Sequence, residues 1–177
     1  MDHIENEAIY SRNVLELLTV AHEFCLFLES VEKYPSDEVL TFLNKIAPLL
    51  YIKGILIPEI EVNNPDANER FVTEEQYENI FLSLKEKFGK YDKFTRSNTK
   101  VNEKSMLIES SLSEVFADIY QDLKDFVILY QKNTRDAKEN AVFSIKELFF
   151  QHWGIRLIEA QKHLHLQLYN ESEEFYH

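Results

Sequence analysis

The sequence predicts an all-α protein, a single domain with a bundle of about five helices. Only 3 Gly and 4 Pro occur in 177 residues, which leaves few positions for the sharp turns of a many-stranded sheet. Hydrophobic residues make up 45% of the chain and include 13 Phe and 9 Tyr, which is enough for a packed core. These residues recur at spacings of three and four, and that period is typical of helices with one buried face.

The first two helices are predicted from this apolar period. The first covers residues 6–31 and ends before Pro35, because the residue preceding a proline is pushed out of helical geometry. The second covers residues 36–53, and its inward face is expected to include Leu49 and Ile52. The short loop between these two helices favours an all-α bundle.

A capping signal predicts the start of the third helix. Thr73 and Gln76 have the spacing of a capping box, and the helix that they open is expected to end at Gly89. A long loop then leads to the fourth helix and could include a short extended piece such as residues 105–108. Residues 85–104 contain seven basic and three acidic residues. We interpret them as a solvated basic segment, available to neutralise an acidic face of this or a neighbouring subunit, in preference to a specific anion site.

The last two predicted helices are long. The fourth covers residues 111–131 and is opened by a capping box that begins at Ser111. The fifth covers residues 136–168 and is opened by Asp136 as its N-cap. We expect one domain over the whole chain, with an acidic tail over about residues 169–177.

Composition excludes several classes of protein. The chain has 31 acidic and 19 basic residues, a formal charge of -12 that repels phosphate backbones, so no nucleic-acid partner is expected. The acidic N-terminus does not resemble a signal peptide, and the longest apolar stretch, residues 46–58, is too short and interrupted to span a membrane. Cys25 is the single cysteine and lies on an apolar helical face. These features predict a soluble cytoplasmic protein without a membrane partner.

A polar stripe connects the fourth and fifth helices. Asp118 and Asp122 lie one turn apart on the fourth helix, beside its apolar face. The inward face of the fifth helix begins with Ile145 and Phe149. The same face continues with ionisable residues: His152, Arg156, Glu159 and His163. Buried charges must be paired, so this stripe either forms ion pairs inside the bundle or reaches its surface.

Three interpretations of this stripe remain open. The favoured one is an ion-pair network that fixes how the two helices dock. The second is a pocket for a polar ligand in which Arg156 holds a carboxylate or phosphate. The third is a surface displayed to a partner protein. The candidate ligand-binding residues are Asp118, Tyr120, Asp122, His152, Trp153 and Arg156.

Two glycines occupy helical positions in the predicted elements. Gly54 is expected to stop the second helix. Gly154 lies inside the fifth helix, where glycine costs about 1 kcal/mol relative to alanine. Close approach of another helix, a kink, or a ligand against the backbone would each account for Gly154.

The signatures of common metal sites and enzymes are missing from the sequence. The Glu-x-x-His spacing of di-iron bundles does not occur around His22, His152, His163 or His165, and His-Glu-x-x-His is absent. There is no glycine-rich phosphate loop and no Gly-x-Ser-x-Gly elbow. We therefore predict no metal, no cofactor and no catalytic residues, and the sequence leaves open whether the protein is an enzyme.

Three segments resemble a family of bacterial helical proteins of unknown function. They are Asp-Ile-Tyr-Gln-Asp-Leu-Lys at 118–124, His-Trp-Gly at 152–154 and a late Leu-His at 164–165. The resemblance is strongest over residues 111–166 and implies an all-helical fold without implying an activity. In that family histidine often stands where this chain has Arg156.

The function expected from these observations is binding. A binding or protein-interaction module, whose partner is another protein or a second copy of the chain, is the first hypothesis. The alternative is a small-molecule-binding protein or an enzyme that uses the cluster of Asp118, Asp122, His152 and Arg156. A deep pocket at the cluster would favour the alternative, whereas a large, flat and apolar symmetric interface would favour self-association.

Overall fold

The all-α prediction is confirmed. The computed structural model describes residues 8–98 and 106–169. The predicted helix start at residues 6 and 7 and the predicted tail over 170–177 lie outside the described residues. Within the described ranges, no helix has both the length and the apolar content needed to cross a membrane. The elements are α1 (Arg12–Glu29), α2 (Ser36–Ile55), α3 (Glu74–Phe88), β1 (Lys93–Asn98), β2 (Met106–Ser111), α4 (Leu112–Gln131), α5 (Arg135–Leu148) and α6 (Gly154–Tyr169).

The central element is α4, which packs against α1, α3 and α5. Of its 20 residues, 14 are buried, and a helix that is buried around most of its circumference belongs to the core of a bundle. The Phe116 ring lies between two aromatic rings, 6.4 Å from the centroid of Phe24 on α1 and 6.2 Å from that of Phe88 on α3. The lone cysteine, Cys25, is buried in this core, as the sequence predicts.

The helices α2 and α6 form an antiparallel pair on one side of the bundle. The Gln161 side chain of α6 donates to the Asn44 carbonyl near the middle of α2, at 3.3 Å. At the other end of the pair, the Tyr51 ring lies 5.3 Å from the Phe149 ring, just before α6 begins. Residues 44 and 51 of α2 therefore meet residues 161 and 149 in reverse chain order, which is the mark of an antiparallel pair.

The predicted long loop between the third and fourth helices contains a β-hairpin, which corrects the sequence analysis. β1 and β2 pair in antiparallel fashion, with Lys93 opposite Ser111. The Asp92 carboxylate, just before β1, accepts a 2.8 Å hydrogen bond from the Ser113 backbone N–H in the first turn of α4. The pairing was not predicted because neither strand has a period-two pattern: β1 is mostly polar, and the apolar residues of β2 are consecutive. The expected extended piece overlaps β2 from residue 106 onward, while residue 105 lies outside the described residues.

Helix starts were predicted well where one side chain could act as the cap. The Thr73–Gln76 capping box is present with both hydrogen bonds, at 3.2 and 3.0 Å. The Asp136 prediction was wrong, because the Thr134 hydroxyl caps α5 by accepting from the Ala137 N–H. The first helix begins later than expected, at Arg12, because the side chain of Ser11 caps it.

The predicted fifth helix is helical throughout but contains a π-helical turn over residues 149–153, which separates α5 from α6. In this turn the Gly154 N–H donates to the Phe149 carbonyl, five residues earlier. A Cβ atom on Gly154 would lie only 2.5 Å from that carbonyl oxygen. Close packing within the π-helical turn therefore explains why a residue without a side chain occupies position 154.

Gly54 does not stop α2, which continues to Ile55, and this prediction was wrong. Gly54 is buried inside the helix, and a Cβ atom there would lie 2.4 Å from the Phe149 ring and 2.9 Å from the Trp153 ring. The absence of a side chain lets α2 approach these two aromatic rings. Gly54 and Gly154 thus both make room for Phe149.

Candidate functional site

The polar stripe forms one connected cluster between α4 and α6, which we call the polar cluster: Asp118, Asp122, His152 and Arg156. The Arg156 Nη1 donates to the Asp118 carboxylate. The Nδ1 of His152 lies 2.8 Å from Oδ2 of Asp122. The two pairs are joined because Arg156 Nη1 is also 3.1 Å from His152 Nε2. Each helix therefore contributes residues to a chain of charge-assisted hydrogen bonds.

The polar cluster extends to a third helix through Tyr77 of α3. Its hydroxyl donates a 2.7 Å hydrogen bond to Oδ1 of Asp118. Burial, followed by this hydrogen bond to a carboxylate, raises the pKa of Tyr77 well above its ordinary value. The hydroxyl therefore stays protonated and acts as a fixed donor.

A second carboxylate on α4, Asp125, holds the segment that precedes α3. Its Oδ1 accepts hydrogen bonds from the backbone N–H groups of Phe71 and Val72, at 2.7 and 2.9 Å. The Arg70 guanidinium lies 3.7 Å from Asp122 and 3.6 Å from Asp125. These contacts tie the irregular segment between α2 and α3 to the same side of α4.

The hydrogen bonds of His152 define its neutral tautomer. Arg156 can only donate, so Nε2 accepts from it and Nδ1–H donates to Asp122. The hydrogen bond to Asp122 raises the pKa of His152, and this effect outweighs the lowering by burial and by the nearby Arg156 charge. The folded state therefore holds a proton on His152 more strongly than the unfolded chain does.

This raised pKa predicts a pH-dependent contribution to stability. We expect the free energy of unfolding of wild type to exceed that of His152→Gln most below about pH 6. The difference should fall as pH rises through the raised pKa of His152, because the unfolded imidazole titrates at its ordinary value of 6.5. Chemical denaturation of both proteins across this pH range measures the difference.

The control variant is Asp122→Asn, which keeps the imidazole ring and removes its carboxylate partner. In the Asp122→Asn background, the effect of His152→Gln on the free energy of unfolding should depend less on pH. A difference that grows with rising pH would contradict the assigned interaction.

The structure brings together four of the six candidate residues and places the other two elsewhere. The Tyr120 hydroxyl donates to Glu29 of α1 at 2.9 Å, because a residue two positions after Asp118 lies on the far side of the helix. Trp153 is fully buried, and its Nε1 donates to the Ile145 carbonyl at 3.2 Å. Its ring is part of the core next to Phe149, at 4.7 Å between centroids.

Little space remains beside the polar cluster for a ligand. The adjoining cavity, lined in part by Arg70, Asp122 and Asp125, has a volume of about 30 Å³, comparable with a single water molecule. The Oδ2 atom of Asp125 has no hydrogen-bond partner in the described structure, and a water molecule fits this need. Among the described residues, no group of three or more His, Cys, Asp or Glu side chains is arranged to hold a metal ion.

A larger concave surface lies between α2 and α6, and we call it the α2/α6 groove. Its volume is about 490 Å³, within the range of ligand-binding pockets. Ile52 and Ile158 are 52% and 45% exposed in it. The apolar residues that line it include Pro48, Tyr51, Ile52, Leu157, Ile158 and Leu166.

Sequence reasoning missed the α2/α6 groove because it assigned the apolar residues of α2 to the core. Leu49 and Ile52, predicted to face inward, are 41% and 52% exposed. The signal was available: α2 has apolar residues on more of its circumference than one packed face can bury. On α6 the same excess occurs at Ile155 and Ile158, which are both about half exposed.

The comparisons with known proteins agree with this architecture. The chain belongs to the family described as Domain of unknown function (DUF5063), whose model matches residues 8–170. A solved structure, that of protein BF1032 from Bacteroides fragilis, is similar with a TM-score of 0.81 and 33% sequence identity. The similarity covers 92% of this chain and 96% of that chain. A search of curated proteins found no match.

Proposed function

We propose that the protein is a protein-interaction module and that the α2/α6 groove is its binding surface. The observation that carries this proposal is the exposure of apolar side chains on both walls of one groove, Ile52 from α2 and Ile158 from α6. Scattered single apolar residues are normal on protein surfaces, whereas a contiguous apolar groove is typical of an interaction site. The buried, unpaired Cys25 supports a cytoplasmic location for this function.

The polar cluster supports a structural role beside this surface. Asp118 and Arg156 are 19% and 16% exposed at their side chains, and each is bonded to other members of the network. A ligand would have to displace those bonds, and the adjoining cavity is too small to receive it. We therefore assign the polar cluster to the docking of α6 on α4 and the interaction to the opposite, apolar side of α6.

Site-specific photo-crosslinking in the native host tests the proposal. A photoreactive phenylalanine analogue at position 158 should give discrete protein adducts. Ile52→Asp, on the opposite wall of the groove, should abolish these adducts because it places a charge in the apolar surface. The matched control is Leu82 of α3, which is 51% exposed but lies outside the groove. The analogue at position 82 should give no adducts, and Leu82→Asp should leave the adducts at position 158 unchanged.

Two results would contradict the proposed function. One is the absence of adducts at position 158 in a protein that is folded by circular dichroism. The other is an adduct pattern at position 158 that is the same as at position 82 and unaffected by Ile52→Asp. Because Ile52 is already half exposed, we expect Ile52→Asp to fold with a melting temperature close to that of wild type.

A further inference from the structure

We infer that the α2/α6 groove receives an amphipathic helix of another protein, with an apolar face and acidic flanks. This inference rests on the proposed function and adds the chemistry of the partner. It follows from two independent properties of the groove. One is the arrangement of apolar side chains along its walls, and the other is the sign of the charges at its edge.

The walls have the geometry of a helix-binding groove. Two antiparallel helices form them, and each wall repeats exposed apolar side chains along one helix face, Pro48 with Ile52 four residues later and Ile158 with Leu166 eight residues later. The 16 residues of α6 span about 24 Å. A partner helix of several turns fits this length and would insert its apolar residues at positions i, i+3 or i+4, and i+7.

The charged side chain that lines the groove, that of Lys162, has the opposite sign to the chain as a whole. Lys162 and His165 are exposed and line the groove, whereas no Asp or Glu of the described residues does so. The whole chain has a formal charge of -12. Because charges separated by more than about 8–10 Å are largely screened at physiological salt, the nearby Lys162 ammonium dominates what a docked helix experiences. Carboxylates that flank the apolar face of the partner are therefore favoured over lysines.

A second copy of this chain is a poorer occupant of the groove. A two-fold symmetric dimer uses the same surface on both subunits, so each groove would have to complement another groove of identical composition. That pairing would bring two copies of Lys162 into one interface, and the lining residues supply no carboxylate to balance them. A different protein with acidic flanks has no such conflict.

Two designed peptides of about 18 residues test this inference. Both carry the same leucine face, and one has Glu flanks while the other has Lys flanks. Fluorescence anisotropy with the purified protein should show the Glu-flanked peptide binding at least about ten-fold more tightly, corresponding to about 1.4 kcal/mol, with the advantage shrinking at high salt. Lys162→Glu should reverse the preference. Ile158→Asp should abolish binding of both peptides, and the control variant Leu82→Asp should bind both as wild type does.

Several outcomes overturn the inference, and they separate it from the proposed function. Equal or tighter binding of the Lys-flanked peptide, or no binding of either peptide, removes the acidic helix as the occupant. A dimer in analytical ultracentrifugation that Ile158→Asp dissociates would identify a second copy as the occupant instead. In each case the crosslinking result at position 158 decides separately whether the groove is an interaction surface.

Discussion

Gly54→Ala is expected to lower the free energy of unfolding by about 1–3 kcal/mol, although alanine is the better helix former by about 1 kcal/mol. The added Cβ would lie 2.4 Å from the Phe149 ring, and real Cβ atoms do not approach other atoms this closely. The ring cannot easily move away, because it also contacts Trp153 and lies beside Gly154. Urea denaturation of the variant beside wild type measures the change.

A double-mutant cycle with Phe149→Leu isolates the cause. Leucine removes the ring, so Gly54→Ala in that background should cost little or should stabilise the protein through its helix propensity. The interaction free energy between the two sites should therefore be large. If Gly54→Ala costs the same in both backgrounds, the ring contact is not the reason for glycine at this position.

Arg156→Met is expected to lower the free energy of unfolding by about 2–4 kcal/mol. It leaves the Asp118 carboxylate, 81% buried, with the Tyr77 hydroxyl as its main remaining partner. An uncompensated charge in such a position costs more than the pair contributes, so Asp118→Asn in the same chain should recover part of the loss. Thermal and chemical unfolding of the two single variants and the double variant measure this coupling.

The matched control for Arg156→Met is Arg12→Met. Arg12 also pairs with a carboxylate, that of Glu16 at 2.6 Å, but its side chain is 90% exposed. Its loss should change the free energy of unfolding by less than about 0.5 kcal/mol. If Arg156→Met instead raised stability, the polar cluster would destabilise the free protein, as the residues of ligand sites often do, and the assigned docking role would be wrong.

Local signals predicted most of the fold. The capping box at Thr73 and the cap at Ser111 each depend on residues three positions apart, and both helices begin where these residues predict. The β-hairpin was missed because its stability comes from pairing between segments that are separated in the chain, with Lys93 opposite Ser111. No property of either strand alone indicates that partner.

The candidate site was also predicted only in part, because sequence periodicity is a local signal. Helical periodicity placed Asp118, Asp122, His152 and Arg156 on facing stripes, and the structure brings them within hydrogen-bonding distance. Periodicity does not determine which neighbour covers each face of a helix. Ile52 was therefore assigned to the core although no described element covers it, and the groove that it lines was not predicted.

The pairing of α2 with α6 sets an order of events during synthesis. Asn44 and Gln161, which meet across this pair, are 117 positions apart in the chain. At about 5–20 residues per second, a ribosome needs on the order of ten seconds to make the intervening segment. During that interval the inner face of α2 has no α6 to cover it, while α1, α3 and α4 can already assemble around Phe116. One wall of the α2/α6 groove is made early and the other late, so the groove is complete only after α6 has been synthesised and has packed against α2.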